Sequence, residues 1–253
     1  MDTRFWGPSG WRLLHMIATS GKTNRDFWES LPYVLPCKFC RTSLTTYYEQ
    51  HPIPNENMSE WLYKIHNLVN QKLRDQGQHL DPNPPFDSVQ TYYSDLLSQG
   101  CSKTEFPGWD FLFSIADNHP DSFVSKPTPD APETTPKTLA DRNRYNMMTV
   151  EERKKQLKRF WASIPKVLPF SEWQTSWAKY AGPIKNSVIT RKSALKWLWA
   201  IRCGLESDLQ QMSHKSFHGL CKEIAIHRSG CSKSLRAKTC RRLGSKRKTR
   251  KHR

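Results

Sequence analysis

"RDFWESLPYVLP", residues 25–36, returns almost unchanged as "KRFWASIPKVLP", residues 158–169. Phe27 aligns with Phe160, Trp28 with Trp161 and Pro36 with Pro169, at an offset of 133 residues. Two further pairs flank this one. Upstream, "GWRLLHMIA" (10–18) matches "GWDFLFSIA" (108–116) at an offset of 98. Downstream, "EWLYKIHNLVNQKL" (60–73) matches "KWLWAIRCGLESDL" (196–209) at 136. Matches in one order with growing offsets indicate a duplicated unit rather than a chance likeness of helical cores. The large step in offset falls on "HPDSFVSKPTPDAPETTPKT" (119–138), rich in Pro, Thr and acids, which reads as a long loop or linker.

Hydrophobic spacing makes the repeated unit helical. Residues 9–20 carry Trp11, Leu14, His15 and Ala18 one turn apart, with Ser9 as the expected cap. Pro36 is suited to open a second helix running through Tyr48. A third, 58–76, has Ser59 at its start and an apolar set at 61, 62, 65, 69 and 73; a fourth covers 86–98. Breakers such as "HPIPN" (51–55) and "LDPNPP" (80–85) separate them. Helical spacing resumes at 150–163, 170–181, 191–212 and 214–227, and nothing reads as a strand. The expected fold is all-α: one helical bundle over residues 1–100, a second over 101–227 with a Pro-rich insertion at 119–148, and a tail over 228–253.

A chain of 253 residues can bury a core in each half. The net charge is +17, and twelve Lys and Arg with no acid lie between Arg228 and Arg253. Like charges this dense repel and have little to bury, so the tail reads as a mobile arm. Such an arm binds nucleic acid non-specifically through phosphates. No run of about 18 apolar residues is present, so no membrane span is expected. The start lacks the basic and apolar regions of a secretory signal, and seven scattered cysteines do not resemble a secreted disulfide framework. The cytosol is the expected compartment.

There a CxxC is a metal ligand or a redox pair more often than a staple. In "LPCKFC" (35–40), Pro36 favours Cys37 at a helix start, where exposed N–H groups and the dipole stabilise a thiolate. Cys40 falls one turn later on the same face, within bridging reach. That suits thiol–disulfide exchange. A zinc site needs two further ligands that no standard spacing supplies, and two inert thiols are the bland alternative. On the helix 58–76, His66, Asn67 and Asn70 cluster among apolar residues, with His15 and Trp11 on another helix. Buried polar groups need partners, and a flat polar aromatic ligand would supply them.

"WGPSGWRLLH" (6–15), "LPCKFC" (35–40) and "WLYKIHNLVNQKL" (61–73) together resemble the FAD-linked sulfhydryl oxidases of the Erv/Alr type, in order and in spacing. The resemblance covers residues 4–98. It implies a four-helix bundle with a short fifth helix that holds FAD. The first FAD-contacting segment would be Arg4, Trp6, Gly7, Pro8, Ser9, Gly10, Trp11 and His15. The second would be His66, Asn67, Val69, Asn70 and Lys72, with Tyr92 as a late aromatic. Cys37 and Cys40 would be the catalytic pair, Cys40 nearer the flavin. Electrons would pass from thiol-containing protein substrates through FAD to molecular oxygen, giving hydrogen peroxide. A homodimer or an intrachain pseudo-dimer is implied as well. The sequence departs from the family at Leu35, which stands where Tyr is common. It departs again at "RDQGQHLDPNPP" (74–85), which displaces a usual Lys, and at Ser88, which replaces the first cysteine of a structural disulfide and leaves Cys101 single. These departures resemble members carried by large eukaryotic DNA viruses, which points to the host cytoplasm or the virion.

The second copy keeps packing positions and loses chemical ones. Trp61, Leu62, Ile65 and Leu73 become Trp197, Leu198, Ile201 and Leu209. Cys37 becomes Phe170, Cys40 Trp173, His15 Phe113, His66 Arg202, Asn67 Cys203 and Asn70 Glu206. A degenerate, cofactor-free copy is expected to look like this. Cys231 and Cys240 are either a shuttle pair or unreactive thiols of the arm. The non-enzymatic alternative for the whole chain is a structural virion or scaffold protein attached through its basic tail.

Overall fold

The computed structural model describes residues 2–102, 104–122, 126–210 and 216–228. The basic tail beyond Arg228, with Cys231 and Cys240, lies outside the described residues. Eleven α-helices and no strand occur among the described residues.

Helix α1 (Thr3–Thr19) starts well before the expected Ser9. The carboxylate of Asp2 accepts from Arg4 N at 3.0 Å and caps the helix. Ser9 is thereby interior, and its hydroxyl donates instead to Pro107 O at 2.7 Å. Helix α2 (Arg25–Val34) is capped by Asn24 and contains Pro32 near its end. It is absent from the periodicity reading, although its phrase is the most repeated one. Helix α3 (Lys38–Gln50) has Cys37, not Pro36, at its cap position. Helix α4 (Met58–Asp75) begins after Asn57, whose φ of 56° is left-handed, so Ser59 lies within the helix. Helix α5 (Phe86–Ser98) closes the first set without a fully buried residue.

The second set is α6 (Trp109–Asp117), α8 (Val150–Val167), α9 (Ser171–Ala181), α10 (Arg191–Asp208) and α11 (Phe217–Arg228). Short α7 (Leu139–Arg144) lies in the insertion. The Thr149–Glu152 capping box fixes the start of α8.

Packing within the sets recurs. Trp28 meets Trp61 edge-on at 5.8 Å, and Trp161 meets Trp197 edge-on at 5.3 Å. Ser30 Oγ donates to Phe27 O, and Ser163 Oγ to Phe160 O. Trp61 Nε1 donates to His51 O, and Trp197 Nε1 to Ala181 O.

Between the sets, like meets like. Helix α1 packs on α6 and α2 on α8. Phe27 stacks on its counterpart Phe160 at 5.5 Å. Asp26 pairs with Arg159, which occupies the matching position, and Glu29 joins the same guanidinium. A Cβ at Gly10 would lie 3.1 Å from the Phe111 ring, and one at Gly108 would lie 2.5 Å from Leu13. Gly10 matches Gly108 and Leu13 matches Phe111, so these contacts are reciprocal, as in an isologous interface. One continuous hydrophobic core runs through both sets.

The insertion is more than a spacer. It remains largely irregular, but Asn143 and Asn146 are buried, and α7 packs on α3. Asn143 Nδ2 donates to Pro32 O at 3.0 Å and to Thr45 Oγ1 at 2.9 Å, and Thr42 Oγ1 donates to Arg144 O at 2.7 Å.

Candidate active site

A cavity of about 390 Å³ opens between α1, α3 and α4. Arg4, Trp6, Gly7, Pro8, Gly10 and Trp11 contribute one wall, all on α1. Cys40, Ser43 and Tyr48 come from α3; His66, Val69, Asn70 and Lys72 come from α4. Lys72 Nζ donates to Ser43 Oγ, tying the last two walls together. Helical spacing accounts for this convergence. Cys40, Ser43 and Leu44 share one face of α3, as His66, Val69, Asn70 and Leu73 do on α4.

A second cavity of about 340 Å³ adjoins the first and shares His66 and Asn70 with it. His15, Asn67, Ser88, Tyr92 and Tyr93 complete its wall. Four rings run along the boundary. Trp11 stacks on His66 at 3.9 Å, and His15 stacks on Tyr93 at 5.0 Å. His15 Nε2 and His66 Nδ1 lie 3.0 Å apart, so one ring donates to the other. Burial holds His15 down at about 4 and His66 down at about 3, the latter helped by His15. Both imidazoles are therefore neutral near pH 7.

The cavities fit a flat, heteroatom-rich ligand with two ring systems. Trp6 Nε1 and Tyr48 Oη are buried beside the first cavity with no hydrogen-bond partner among the described residues. Such orphaned groups call for a polar ligand. Lys72, bonded to the neutral Ser43, supplies positive charge at the wall for an anionic linker, whereas Arg4 is paired there with Asp2 at 2.7 Å.

Two predicted site residues stand apart from this set. Ser9 faces the second set of helices, where it also accepts from Phe111 N. Cys37 lines neither cavity; it stands at the N-cap position of α3, and both thiols are half-buried, with Cys40 in the wall of the first cavity. A pair with one thiol in the wall of a ligand cavity and the other outside that wall can relay electrons between them. Tyr93, Tyr48 and Ser43 were missed by sequence reasoning. The pattern "TYY" (91–93) holds two candidates, and only the phase of α5 selects Tyr93 for stacking. Phe111, from the second set, also reaches the first cavity.

At the matched place in the second set, Trp173 and Trp177 are buried against Phe106, with centroids at 5.0 and 6.5 Å. Trp177 also stacks on Trp109 at 6.4 Å. Arg202 pairs with Glu206 at 2.6 Å and lies over the rings of Trp109 and Trp199. Bulky rings and an internal ion pair stand where the first set has a thiol, two imidazoles and an amide.

Residues 8–87, within the first set, match the Erv1 / Alr family. The chain is similar to a probable FAD-linked sulfhydryl oxidase of Acanthamoeba polyphaga mimivirus. The two are 32% identical over 85 residues, covering 28% of this chain and 59% of the relative. It is also similar to the FAD-linked sulfhydryl oxidase of African swine fever virus, 29% identical over 80 residues, covering 27% of this chain and 67% of the relative. The likeness thus spans little more than half of the first relative's length. No solved structure matches the chain significantly. No helix among the described residues is long and apolar enough to cross a membrane. No group of three or more metal-ligating side chains is gathered among the described residues.

Proposed function

We propose that the chain is an FAD-dependent thiol oxidase that forms disulfides in protein substrates. The observation that carries this reading is the position of Cys40 in the wall of an apolar cavity that also holds Trp11, His66 and two orphaned polar groups. Cys37, half-buried at the cap position of α3 and outside the cavity wall, is the partner that a substrate thiolate reaches in this reading. Its attack on the Cys37–Cys40 disulfide releases Cys40 as the thiolate facing the cavity.

Trp6, Trp11, His66, Asn70 and Lys72 would hold FAD in the first cavity, with His15, Asn67, Tyr92 and Tyr93 around its second ring system. When bound, FAD supplies the two-electron acceptor for the reduced pair and returns the electrons to oxygen as hydrogen peroxide. The chain's own residues position the thiols, stack the rings and keep both imidazoles neutral as hydrogen-bonding groups. The second set of helices, with its site filled by Trp173 and Trp177, acts in this reading as a cofactor-free pseudo-subunit.

The purified protein is expected to be yellow and to consume oxygen with dithiothreitol. Cys37→Ser or Cys40→Ser abolishes this consumption and leaves the flavin bound, because Ser nearly keeps the shape of Cys and the rest of the wall is unchanged. A colourless protein without thiol-dependent oxygen uptake would leave the structural-protein alternative standing.

A further inference from the structure

Arg41 follows the cysteine pair on α3 and is enclosed, 4% exposed. It donates to Leu35 O at 2.7 Å and to Asn146 Oδ1 at 2.9 Å. Its third nitrogen, Nε, is buried with no hydrogen-bond partner among the described residues. Arg153 of α8 donates to the same Asn146 Oδ1 at 2.7 Å. Two guanidinium groups therefore share one neutral acceptor, and among the described residues neither is ion-paired with a carboxylate. A buried cation without a counter-ion is costly. Burial and the charge of Arg41 hold Arg153 down at about 9. Burial also pulls Arg41 down, and among the described residues the charges of Cys37 and Cys40 act against that pull.

The repeat supplies a control. Gln174 stands 133 residues after Arg41, and its amide donates to Leu168 O at 2.6 Å, the counterpart of the bond from Arg41 to Leu35 O. There the cysteines have become Phe170 and Trp173. A neutral amide is enough for the backbone bond, and the charge accompanies the thiols.

We propose that Arg41 is the counter-charge of the Cys37–Cys40 pair, aimed by Asn146 of the insertion, and that it stabilises the thiolate released when the disulfide opens. The proposal rests on the thiol-oxidase reading of this site. In the step concerned, a substrate thiolate sulfur bonds to Cys37 Sγ. The Cys37–Cys40 bond breaks, and its electron pair leaves on Cys40. A second substrate thiolate then displaces Cys37. The substrate dithiol has lost two electrons to the pair and two protons to water. A cation beside the pair favours the reduced, ionised side of this exchange.

Other charges around the pair are engaged elsewhere. Lys38 lies over the Phe39 ring at 5.3 Å, and Lys72 of α4 bonds to Ser43. Arg144 of α7 pairs with Glu49 and Asp141, and Arg159 of α8 pairs with Asp26 and Glu29.

The test is the pH dependence of Cys37 alkylation by iodoacetamide in the reduced full-length protein, read by mass spectrometry and needing no turnover. Arg41→Met is expected to raise the midpoint by about one pH unit or more, and Arg41→Lys to restore most of the shift. Asn146→Asp places a carboxylate between the two guanidinium groups and should shift the midpoint the same way. It keeps the buried Arg41 and the partly buried Arg153, and so serves if Arg41→Met does not fold. An unchanged midpoint in folded Arg41→Met, or in Asn146→Asp, overturns the proposal. Oxygen uptake by wild type and Cys40→Ser decides the oxidase reading separately, since the alkylation shift does not depend on it.

Discussion

His15 and His66 face each other at 3.0 Å, both in the neutral form. The unfolded chain protonates both near the ordinary value of about 6.5, whereas the folded chain resists until about 4 and about 3. Depressed folded values contribute stability that is complete above about pH 6.5 and is lost as pH falls towards 4. The urea midpoint should therefore drop across that window. In His15→Phe, which adopts the residue of the second copy, part of the drop should vanish. A midpoint with the same acid slope in wild type and His15→Phe would contradict the buried-neutral pair. These histidines were legible in the sequence because the repeat erased them while sparing Trp61 and Leu62. Ser9 was misplaced because periodicity does not say which side of α1 meets α6. Tyr93 was missed because α5 has no buried stripe to fix its phase.

Helix α2 escaped the periodicity reading although it is intact. Its Pro32 sits near the C-terminal end, where one lost backbone bond leaves most of the helix in place. Pro165 does the same in α8, which runs to Val167 rather than stopping at 163. The insertion posed the opposite problem. Its composition gave a loop correctly, but its anchoring depends on amides, not on apolar spacing. Asn143 is fully buried and bonds both to the end of α2 and to α3. Asn143→Ala removes those donors and leaves Pro32 O enclosed without one. The expected loss is about 1–3 kcal/mol, read from chemical unfolding. A surface-like change of a few tenths would mean that the insertion is draped over α3 without bracing it.

Across the whole molecule, the duplicated core and the unequal sites lead to a stoichiometry. Corresponding positions meet between the sets at Phe27 with Phe160, Asp26 with Arg159, and the two glycine contacts. A second chain docking through α1 and α2 would have to displace α6 and α8. The intrachain pseudo-dimer implied by the family resemblance is thus the arrangement these contacts favour over a homodimer through the same faces. The first set keeps two adjoining cavities and orphaned polar groups, whereas Trp173, Trp177 and the Arg202–Glu206 pair occupy the matched place in the second. An isoalloxazine cannot enter there without expelling two buried tryptophans, each of which secures several kcal/mol of packing. One FAD per chain is therefore expected, measured as flavin absorbance after denaturation against protein mass. Two would mean that the tryptophans yield to the ligand and that the second copy retains a site. Trp173→Ala opens space without restoring a histidine or a thiol, so it should lower stability while flavin content stays at one. A gain of flavin in that variant would show that ring bulk alone, rather than the loss of His66 and Asn70 equivalents, keeps the cofactor out.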